Sequence, residues 1–311
     1  MEIQPRLIWL DGQLLPPAEA LVPVLSPTAQ FGLNVFEGIR GYWSDDAQDV
    51  YLFRLGEHLE RLMESCRLLG INSPYSIPEI QRIILDVLKA NEYRCDVAVR
   101  VTLFVGGDEG TWHMSEPVSM FVAPINKPRR SLENTAGARA CISTWERIDD
   151  RSLPPRTKSG ANYINGRYAH LEAKAAGYDL PVLLDRRGKV SEGAGSCLMM
   201  VRNGVLSTPP TTASILDSIT RNTLLSIATQ AGIPCEVRDI DRTELYLADE
   251  VFLCGSAAEI TPLVGLDRFT IGDGTIGAVS ADLLKRYLDA ATGADAEDRG
   301  WLTPTWGVQN A

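Results

Sequence analysis

The amino-acid sequence predicts an α+β protein of two domains, with mixed sheets flanked by helices. Its 311 residues exceed the usual size of a single domain. Segments with the alternation of a strand and segments with the periodicity of a helix follow one another without a regular βαβ order. Over residues 125–137, proline, lysine, arginine and asparagine replace the apolar pattern. We therefore expect a small α/β domain over residues 1–124, a linker over 125–137 and a larger domain over 138–311.

The N-terminal domain is predicted to combine strand pairs with two helices. Asp11-Gly12 between two short apolar runs is typical of a hairpin turn. The apolar side chains of residues 57–69 recur on one helical stripe, and Pro78 suits the first position of a second helix. In order, we predict strands over 7–10, 13–15, 38–42 and 50–53, helices over 57–69 and 78–91, and strands over 96–104 and 118–123.

The C-terminal domain is predicted to interleave strands and helices. Strands are expected over residues 138–144, 182–184, 197–201 and 205–207, and helices over 162–176, 220–231 and 278–291. The chain shows no internal repeat and no low-complexity segment.

Composition and charge exclude further classes of protein. A net charge of −10 and a pI near 4.9 argue against a nucleic-acid partner. No apolar run reaches the roughly 18 residues of a membrane span, and residues 1–6 lack the pattern of a signal peptide. The six cysteines form no C-x-x-C pair, which favours free thiols. We therefore expect a cytoplasmic protein without a membrane or nucleic-acid partner.

Common catalytic and metal-binding motifs are missing from the sequence. It contains no H-E-x-x-H, no G-x-S-x-G and no P-loop. His58, His113 and His170 are too few and too dispersed for a metal site or a catalytic triad, so no metal is expected. His58 and His170 fall in helical segments, where a surface position or a hydrogen-bonded core position is the ordinary interpretation.

Lys158 stands out among the six lysines. It lies between Leu153-Pro154-Pro155-Arg156-Thr157 and Ser159-Gly160-Ala161-Asn162-Tyr163, a stiff stretch rich in small residues before a predicted helix. A lysine that bonds covalently to a carbonyl cofactor must be held in place and partly desolvated, so that its amine is available. Most loop lysines have no catalytic role, so this context alone is a weak indication.

Glu192 lies in a glycine-rich turn, Val190-Ser191-Glu192-Gly193-Ala194-Gly195. A backbone with few side chains lets a planar ligand come close, and a carboxylate beside a pyridine nitrogen keeps that nitrogen protonated. The alternative interpretation is an ordinary turn residue, which would be preferred if Lys158 were absent.

Three further features offer donors to an anion. Ser218-Ile219-Thr220-Arg221-Asn222 opens a predicted helix whose N–H groups and hydroxyls suit a phosphate. A plain N-cap is the commoner role of serine and threonine at such a place. The turn Cys254-Gly255-Ser256-Ala257-Ala258 adds N–H donors, and Arg61 adds a fixed positive charge.

A series of short blocks spans nearly the whole chain. They are Phe31-Gly32 and residues 35–40 (VFEGIR), 58–62 (HLERL), 158–163 (KSGANY), 191–195 (SEGAG), 208–210 (TPP), 245–252 (LYLADEVF) and 255–262 (GSAAEITP). In this order and spacing they resemble the fold-type IV enzymes that depend on pyridoxal 5'-phosphate, which share the D-amino-acid aminotransferase-like fold. The resemblance is strongest to the bacterial branched-chain amino-acid aminotransferases, and it is more specific for the superfamily than for a substrate.

The resemblance implies transamination between an amino acid, branched-chain or related and possibly non-standard, and a 2-oxo acid such as 2-oxoglutarate. Lys158 would carry the pyridoxal phosphate in the C-terminal domain and move the proton between the substrate carbon and the cofactor. The other residues expected at the cofactor are Arg61, Tyr163, Glu192, Gly195, Ile219, Thr220, Gly255 and Ser256. Those expected at the substrate are Phe31, Phe36, Gly38, Arg100, Trp112 and Ala257. Family members are usually homodimers, in which Phe31 and the loop over 106–112 reach toward the partner's site.

The chain also departs from the family's pattern, mainly on the substrate side. Ala98 stands where a tyrosine helps to anchor a substrate carboxylate, and Cys197 stands where asparagine is usual. The other departures are Met199, Ile125, Pro128, Phe31 and Trp112. This distribution indicates a changed substrate more than a lost activity.

Two alternative functions remain open at this point. The first is another fold-type IV reaction, that of a D-amino-acid or (R)-amine transaminase or of an aminodeoxychorismate lyase. The second is a non-catalytic accessory protein with the same fold. The lost tyrosine supports the second alternative, whereas the presence of Lys158, Glu192, Tyr163 and Arg61 argues against it.

Overall fold

The structure is a computed structural model that describes residues 6–133, 136–295, 297 and 299–307. Residues 1–5, which bear on the signal-peptide expectation, and residues 134–135 of the predicted linker lie outside this range. The described chain divides into two compact units. Unit 1 comprises the residues up to Arg129, the segment Thr157–Ala161 and the residues from Asp289 onward; unit 2 comprises Arg130–Arg156 and Asn162–Leu288.

Strands and helices are both numerous within the described residues. The strands are β1 (Ile8–Leu10), β2 (Gln13–Leu15), β3 (Asn34–Ser44), β4 (Asp49–Phe53), β5 (Val97–Val105), β6 (Val118–Asn126), β7 (Ala138–Glu146), β8 (Leu180–Leu184), β9 (Val190–Gly193), β10 (Cys197–Arg202), β11 (Val205–Thr208), β12 (Cys235–Val237), β13 (Glu250–Gly255), β14 (Glu259–Leu266), β15 (Phe269–Thr270) and β16 (Leu302–Pro304). The helices are α1 (Pro27–Phe31), α2 (Leu55–Leu69), α3 (Ile77–Ala90), α4 (Tyr163–Ala175), α5 (Ile219–Gln230), α6 (Arg242–Leu245) and α7 (Ala278–Thr292).

Unit 1 contains a seven-stranded sheet in the order β16-β4-β3-β5-β6-β1-β2, and its neighbouring strands are antiparallel. Helices α2 and α3 cover one face, because apolar side chains such as Leu59, Leu62 and Ile84 recur at helical spacing and are fully buried there. Each such side chain contributes about 1.5–3 kcal/mol through burial.

Strand β3 presents two chemically different faces. Val35 and Ile39 pack in the helix-covered core, so Glu37 between them points to the same side. Phe36 and Gly38 therefore point to the opposite face of the sheet. The candidate substrate residues Phe36 and Gly38 therefore lie on the opposite face of the sheet from Glu37.

Unit 2 contains a nine-stranded mixed sheet with the principal order β12-β11-β10-β13-β14-β7-β8-β9, and β15 pairs with β14. Parallel pairs join β11 to β12 and β7 to both β8 and β14, whereas β10 and β13 pair antiparallel. Alternate residues of β10 and β13, such as Leu198 and Leu253, belong to the apolar core. Their neighbours Cys197 and Cys254 consequently point to the other face.

Most predicted elements are confirmed to within a few residues. The predictions missed α1, α6 and several short strands, which are too short to show a periodicity, and they also missed the longer strand β14. The prediction also assigned segments 157–161 and 289–311 to the C-terminal domain, but their described residues lie in unit 1. The reasons are that Ser159 forms an isolated bridge with Val35 and that β16 pairs with β4. Among the described residues, the helices are all too short or too polar to cross a membrane.

Candidate active site

Backbone contacts on both sides fix Lys158 within unit 1. The N–H of Lys158 donates to Ser65 Oγ of α2 at 3.1 Å, and the N–H of Phe36 donates to the Lys158 carbonyl at 3.0 Å. The N–H of Gly160 donates to Asn34 Oδ1 at 3.1 Å. The Lys158 segment is therefore held by tertiary contacts with β3 and α2, and not by the neighbouring prolines from which the sequence predicted its stiffness.

The side chain of Lys158 lies beside candidate substrate residues of the same unit. Its Nζ is 5.1 Å from the centre of the Phe36 ring, and the guanidinium carbon of Arg100 is 4.3 Å from that ring. Gly38 pairs in register with Arg100, and a methyl group at position 38 would meet no atom within 4 Å. The two cations, Lys158 and Arg100, therefore lie near the same Phe36 ring, and the space above Gly38 is open.

Arg61 belongs to a buried polar group on the helix-covered face. Its Nε donates to Glu37 Oε1 at 2.7 Å and its Nη2 donates to Oε2 at 2.9 Å, while His58 Nδ1 lies 2.7 Å from the same Oε2. Burial raises the pKa of Glu37, but the electrostatic interactions and hydrogen bonds with Arg61 and His58 lower it by a larger amount, so the net shift is downward. The interpretation of His58 as a hydrogen-bonded core residue is confirmed.

Two predicted substrate residues lie on the surface of unit 1. Phe31 ends α1 and is 44% exposed, and Trp112 is 71% exposed with its ring edge against His113. Their role at a partner's site stays a prediction.

Glu192 is the buried acid of unit 2, and three groups surround it. Arg147 Nε donates to Oε1 at 2.8 Å, and on the other oxygen the Leu216 N–H lies at 3.4 Å and Cys197 Sγ at 3.6 Å. Burial raises the pKa of Glu192, and Arg147 opposes this shift. Cys197, one of the departures from the family pattern, thus contributes a weak S–H donor to this carboxylate.

The turn after Glu192 packs closely against α4. A methyl group at position 195 would lie 3.3 Å from the Tyr163 ring, and one at position 166 would overlap the carbonyl oxygen of Ala194. A methyl group at Gly255 would lie 3.8 Å from the Gly195 carbonyl oxygen. The predicted residues Tyr163, Glu192, Gly195 and Gly255 are therefore brought together around one turn.

The start of α5 completes the group in unit 2. Ser218 Oγ accepts a hydrogen bond from the Arg221 N–H at 3.2 Å, so it is the N-cap, and Ile219 and Thr220 occupy the first turn. The first N–H groups of a helix have no acceptor inside the helix, which makes this end suited to an anion. Arg221 is occupied structurally, because its guanidinium donates to Thr208 Oγ1 and to the Pro209 carbonyl. Ser256 and the exposed Ala257 lie in the turn between β13 and β14.

Sequence reasoning did not assign roles to Arg147, Glu37, His58 or Ser65. Arg147 lies 45 positions before Glu192, in a segment without a recognisable pattern. Glu37 and His58 stand inside the matching blocks, and the spacing of His58, Arg61 and Ser65 on one face of α2 was the available signal.

Comparisons with known proteins agree in pointing to one family. The family model described as "Amino-transferase class IV" matches residues 34–265. The chain is 35% identical over 299 residues to a probable branched-chain-amino-acid aminotransferase from Aquifex aeolicus, with 96% of each chain covered. Two crystal structures of branched-chain aminotransferases superpose with a TM-score of 0.90. The one from Thermobaculum terrenum in its PLP form is 39% identical, covering 98% of this chain and 99% of that one. The one from the archaeon Thermoproteus uzoniensis, determined with norvaline, is 36% identical, covering 96% of this chain and 99% of that one.

Proposed function

The chain belongs to the class IV aminotransferase family, and from this premise we propose that it binds pyridoxal 5'-phosphate on Lys158 and transfers an amino group from an amino acid to a 2-oxo acid. The recognised family and the fold class, a two-domain α+β fold of type IV, are confirmed by the family model and by the similar structures. The residue roles below are proposals, each based on the geometry within one unit.

The residues of unit 2 suit the ring and phosphate of this cofactor. A side chain at position 195 would crowd the partly exposed Tyr163 ring, so we assign Gly195 and Tyr163 to the ring of the cofactor. Glu192 offers a carboxylate held by Arg147, as a pyridinium nitrogen requires. We assign Ile219, Thr220, Gly255 and Ser256 to the phosphate, because the start of α5 and the turn after β13 present backbone N–H groups and hydroxyls.

When bound, pyridoxal phosphate supplies a ring that withdraws electrons from the substrate carbon. The chain's own residues make this possible. Glu192 would keep the ring nitrogen protonated, because an ionised carboxylate favours a proton on its neighbour. Lys158 would move the proton between the substrate carbon and the cofactor, and the contacts with Ser65 and Phe36 fix the backbone from which its amine reaches.

The substrate carboxylate is assigned to unit 1. Arg100 offers a fixed cation beside Phe36 and the open space above Gly38. Within unit 2, the exposed Ala257 is proposed separately to offer a backbone N–H to the substrate. Because the similar proteins are named as branched-chain aminotransferases, we propose a branched-chain or related amino acid as donor and 2-oxoglutarate as acceptor. Ala98, which pairs in register with Arg40, leaves this pocket larger than a tyrosine would.

The buried Glu192–Arg147 pair carries this proposal, because a carboxylate is removed from water at a place where an electron-withdrawing cofactor needs one. The test is an amino-donor panel with 2-oxoglutarate. L-valine and L-leucine should be consumed with formation of glutamate, whereas D-alanine and an aromatic amine should not. Turnover of D-alanine or the amine alone would favour another fold-type IV transaminase. Formation of pyruvate from aminodeoxychorismate would favour the lyase. A colourless protein that takes up no cofactor would exclude the proposed transaminase and these alternatives alike.

We further propose a cytoplasmic homodimer. On α4, Ile164, Tyr168 and Leu171 are half-exposed at helical spacing, and Trp145 stacks on Tyr168 with ring centres 4.9 Å apart. A contiguous apolar surface of this kind is typical of an interface. Sedimentation of the wild type and of Leu171→Glu tests this, since the charge should shift the protein toward monomer; an unchanged monomer in both would exclude the dimer.

A further inference from the structure

We propose that Glu37 is a positioning residue, which holds the guanidinium of Arg61 in the orientation that the cofactor's phosphate needs. The inference rests on the proposed function and on the assignment of Arg61 to the phosphate, which the family resemblance implies. Glu37 itself faces the helix-covered side of β3 and belongs to no proposed contact with the cofactor. Its role is exerted through Arg61.

The geometry fixes the guanidinium in two directions. Both Glu37 oxygens accept from it, at 2.7 Å from Nε and 2.9 Å from Nη2, so the carboxylate and the guanidinium lie as a paired fork. A fork of two parallel hydrogen bonds defines the plane and the direction of an arginine head, which a single hydrogen bond does not. The Nε and Nη2 donors are thereby used on Glu37, and the plane of the whole guanidinium is set.

His58 fixes the carboxylate in turn. Its Nδ1 lies 2.7 Å from Glu37 Oε2, one helical turn before Arg61 on the same face of α2. An ionised carboxylate has acceptors only, so Nδ1 carries the hydrogen and donates. Burial, together with the charges of Arg61 and Lys158, lowers the pKa of His58 more than Glu37 raises it, which favours the neutral imidazole. The trio therefore has one negative and one positive charge, and a neutral donor holds the acid.

The apolar surroundings make a purely structural explanation poor. Glu37 is fully buried between Val35 and Ile39, and Leu59 and Leu62 of α2 are fully buried in the same core. A buried ion pair is weak evidence for stability, because apolar residues of similar volume are often as stable or more stable. An arginine tail left to itself also samples many rotamers, and this freedom would have to be lost when an anion binds. Holding Arg61 before binding explains why the acid is present.

Connection to the lysine segment supports a role at the site. Ser65, one turn beyond Arg61 on α2, accepts the hydrogen bond from the Lys158 N–H. The same helix face therefore carries His58, Arg61 and Ser65, which contact Glu37 and the backbone of Lys158. Moving Glu37 should disturb the phosphate contact first, because the lysine backbone has its own bond to Ser65.

The test compares two cofactor forms that differ only in the phosphate. The dissociation constants of the apoprotein for pyridoxal 5'-phosphate and for pyridoxal are measured by equilibrium dialysis, and their ratio reports the phosphate contact. In Glu37→Gln we expect this preference for the phosphate form to fall roughly tenfold to a hundredfold, as for a disturbed hydrogen bond to a charged group. Arg61→Gln should lower it at least as much. Asp96→Asn, which disturbs the comparable Arg129–Asp96 pair of unit 1, should leave it unchanged.

The outcomes separate the inference from the function on which it rests. Loss of the preference in Arg61→Gln but not in Glu37→Gln overturns the inference and leaves the proposed function intact. An unchanged preference in Arg61→Gln overturns the assignment of Arg61 to the phosphate. Equal weakening of both cofactor forms in Glu37→Gln indicates a structural role and also overturns the inference. If Glu37→Gln does not fold, Glu37→Asp is tested instead, because the shorter side chain retains the charge but moves the carboxylate away from Arg61. A smaller loss of the preference for the phosphate form is then expected. No loss in this variant contradicts the inference.

Discussion

Arg147 and Glu192 form a buried ion pair in which Nε lies 2.8 Å from Oε1, and both side chains are less than one-tenth exposed. Burial raises the pKa of Glu192 overall, and Arg147 is the strongest of the groups that oppose this shift, ahead of the Leu216 N–H and Cys197. Asn165 Oδ1 accepts from the Arg147 Nη1 at 3.2 Å and helps to hold the guanidinium. The charge state of the proposed cofactor partner therefore depends on a residue 45 positions away.

Arg147→Met should destabilise the protein in a pH-dependent way. Without the cation, the pKa of Glu192 in the folded state rises further above the unfolded value of about 4.3. An acid with a raised pKa in the folded state loses stability as the pH rises from the unfolded pKa toward the folded pKa. Urea unfolding should show a loss of about 3–5 kcal/mol near pH 8 and a smaller loss near pH 5.

Two further variants test the same pair. Adding Glu192→Gln to Arg147→Met should restore much of the stability at high pH, because no buried charge remains. Arg238→Met removes a more exposed pair with Glu244 in the same unit and should cost less than about 1 kcal/mol. Equal losses at both pH values in Arg147→Met would contradict the account.

Glu37 should make stability depend on pH with the opposite sign. Burial raises its pKa in the folded state, but Arg61 and His58 together lower that pKa by a larger amount, so the net shift is downward. The stability it confers is therefore present above the unfolded pKa of about 4.3 and is lost as the pH falls toward the folded pKa. Between about pH 6 and about pH 3, unfolding free energy should fall less steeply in Glu37→Gln than in the wild type. Parallel curves would show that the carboxylate titrates normally.

Ala98→Tyr should raise kcat/KM for short aliphatic amino acids. Ala98 pairs in register with Arg40 and with Ile125, and Arg100 points to the same face two residues on. A tyrosine hydroxyl there restores a donor to a substrate carboxylate, which is worth about 1.5–3 kcal/mol, or roughly tenfold or more in kcat/KM for L-valine. Ala98→Phe is the matched control, because it fills the same space without a hydroxyl. An equal effect of both variants would assign the change to volume alone.

Gly166→Ala should push α4 away from the turn that follows Glu192. The added methyl group would overlap the Ala194 carbonyl oxygen, so the helix or the turn must move, at a cost of about 1–3 kcal/mol. The affinity for pyridoxal phosphate should fall with the stability, since Tyr163 and Gly195 lie in the two displaced segments. Gly56→Ala is the control, because a methyl group there meets no atom within 4 Å and α2 should gain about 0.5–1 kcal/mol. An unchanged stability in Gly166→Ala would show that the turn adapts freely.

Local patterns predicted the elements that depend on local forces. The stripe of α2 and the Ser76–Glu79 capping box with a proline at the start of α3 are visible within about four residues, and both helices are found. Helix α1 also has a serine N-cap and an N-terminal proline, but its five residues are too few for periodicity to show. Short elements therefore escape prediction even when their caps are present.

Partners distant in sequence could not be predicted in the same way. The Val35–Ser159 bridge joins positions that no local rule relates, and it is the reason why the Lys158 segment lies in unit 1. Glu192 was identified from its glycine-rich turn, whereas nothing near Arg147 indicates that it lies beside that acid. Buried charge pairs are created by tertiary packing, so a single sequence shows one member at most.

The identity of the lysine that binds the cofactor is the central claim, and it can be measured directly. The holoprotein is reduced with sodium borohydride, which makes the bond between cofactor and lysine permanent, and is then digested and mapped by mass spectrometry. We predict that the cofactor mass is found on Lys158 and is absent from Lys189, which pairs with Asp241 on the surface. Label on another lysine, or Lys158→Ala protein that is still labelled and still transaminates, would contradict the account.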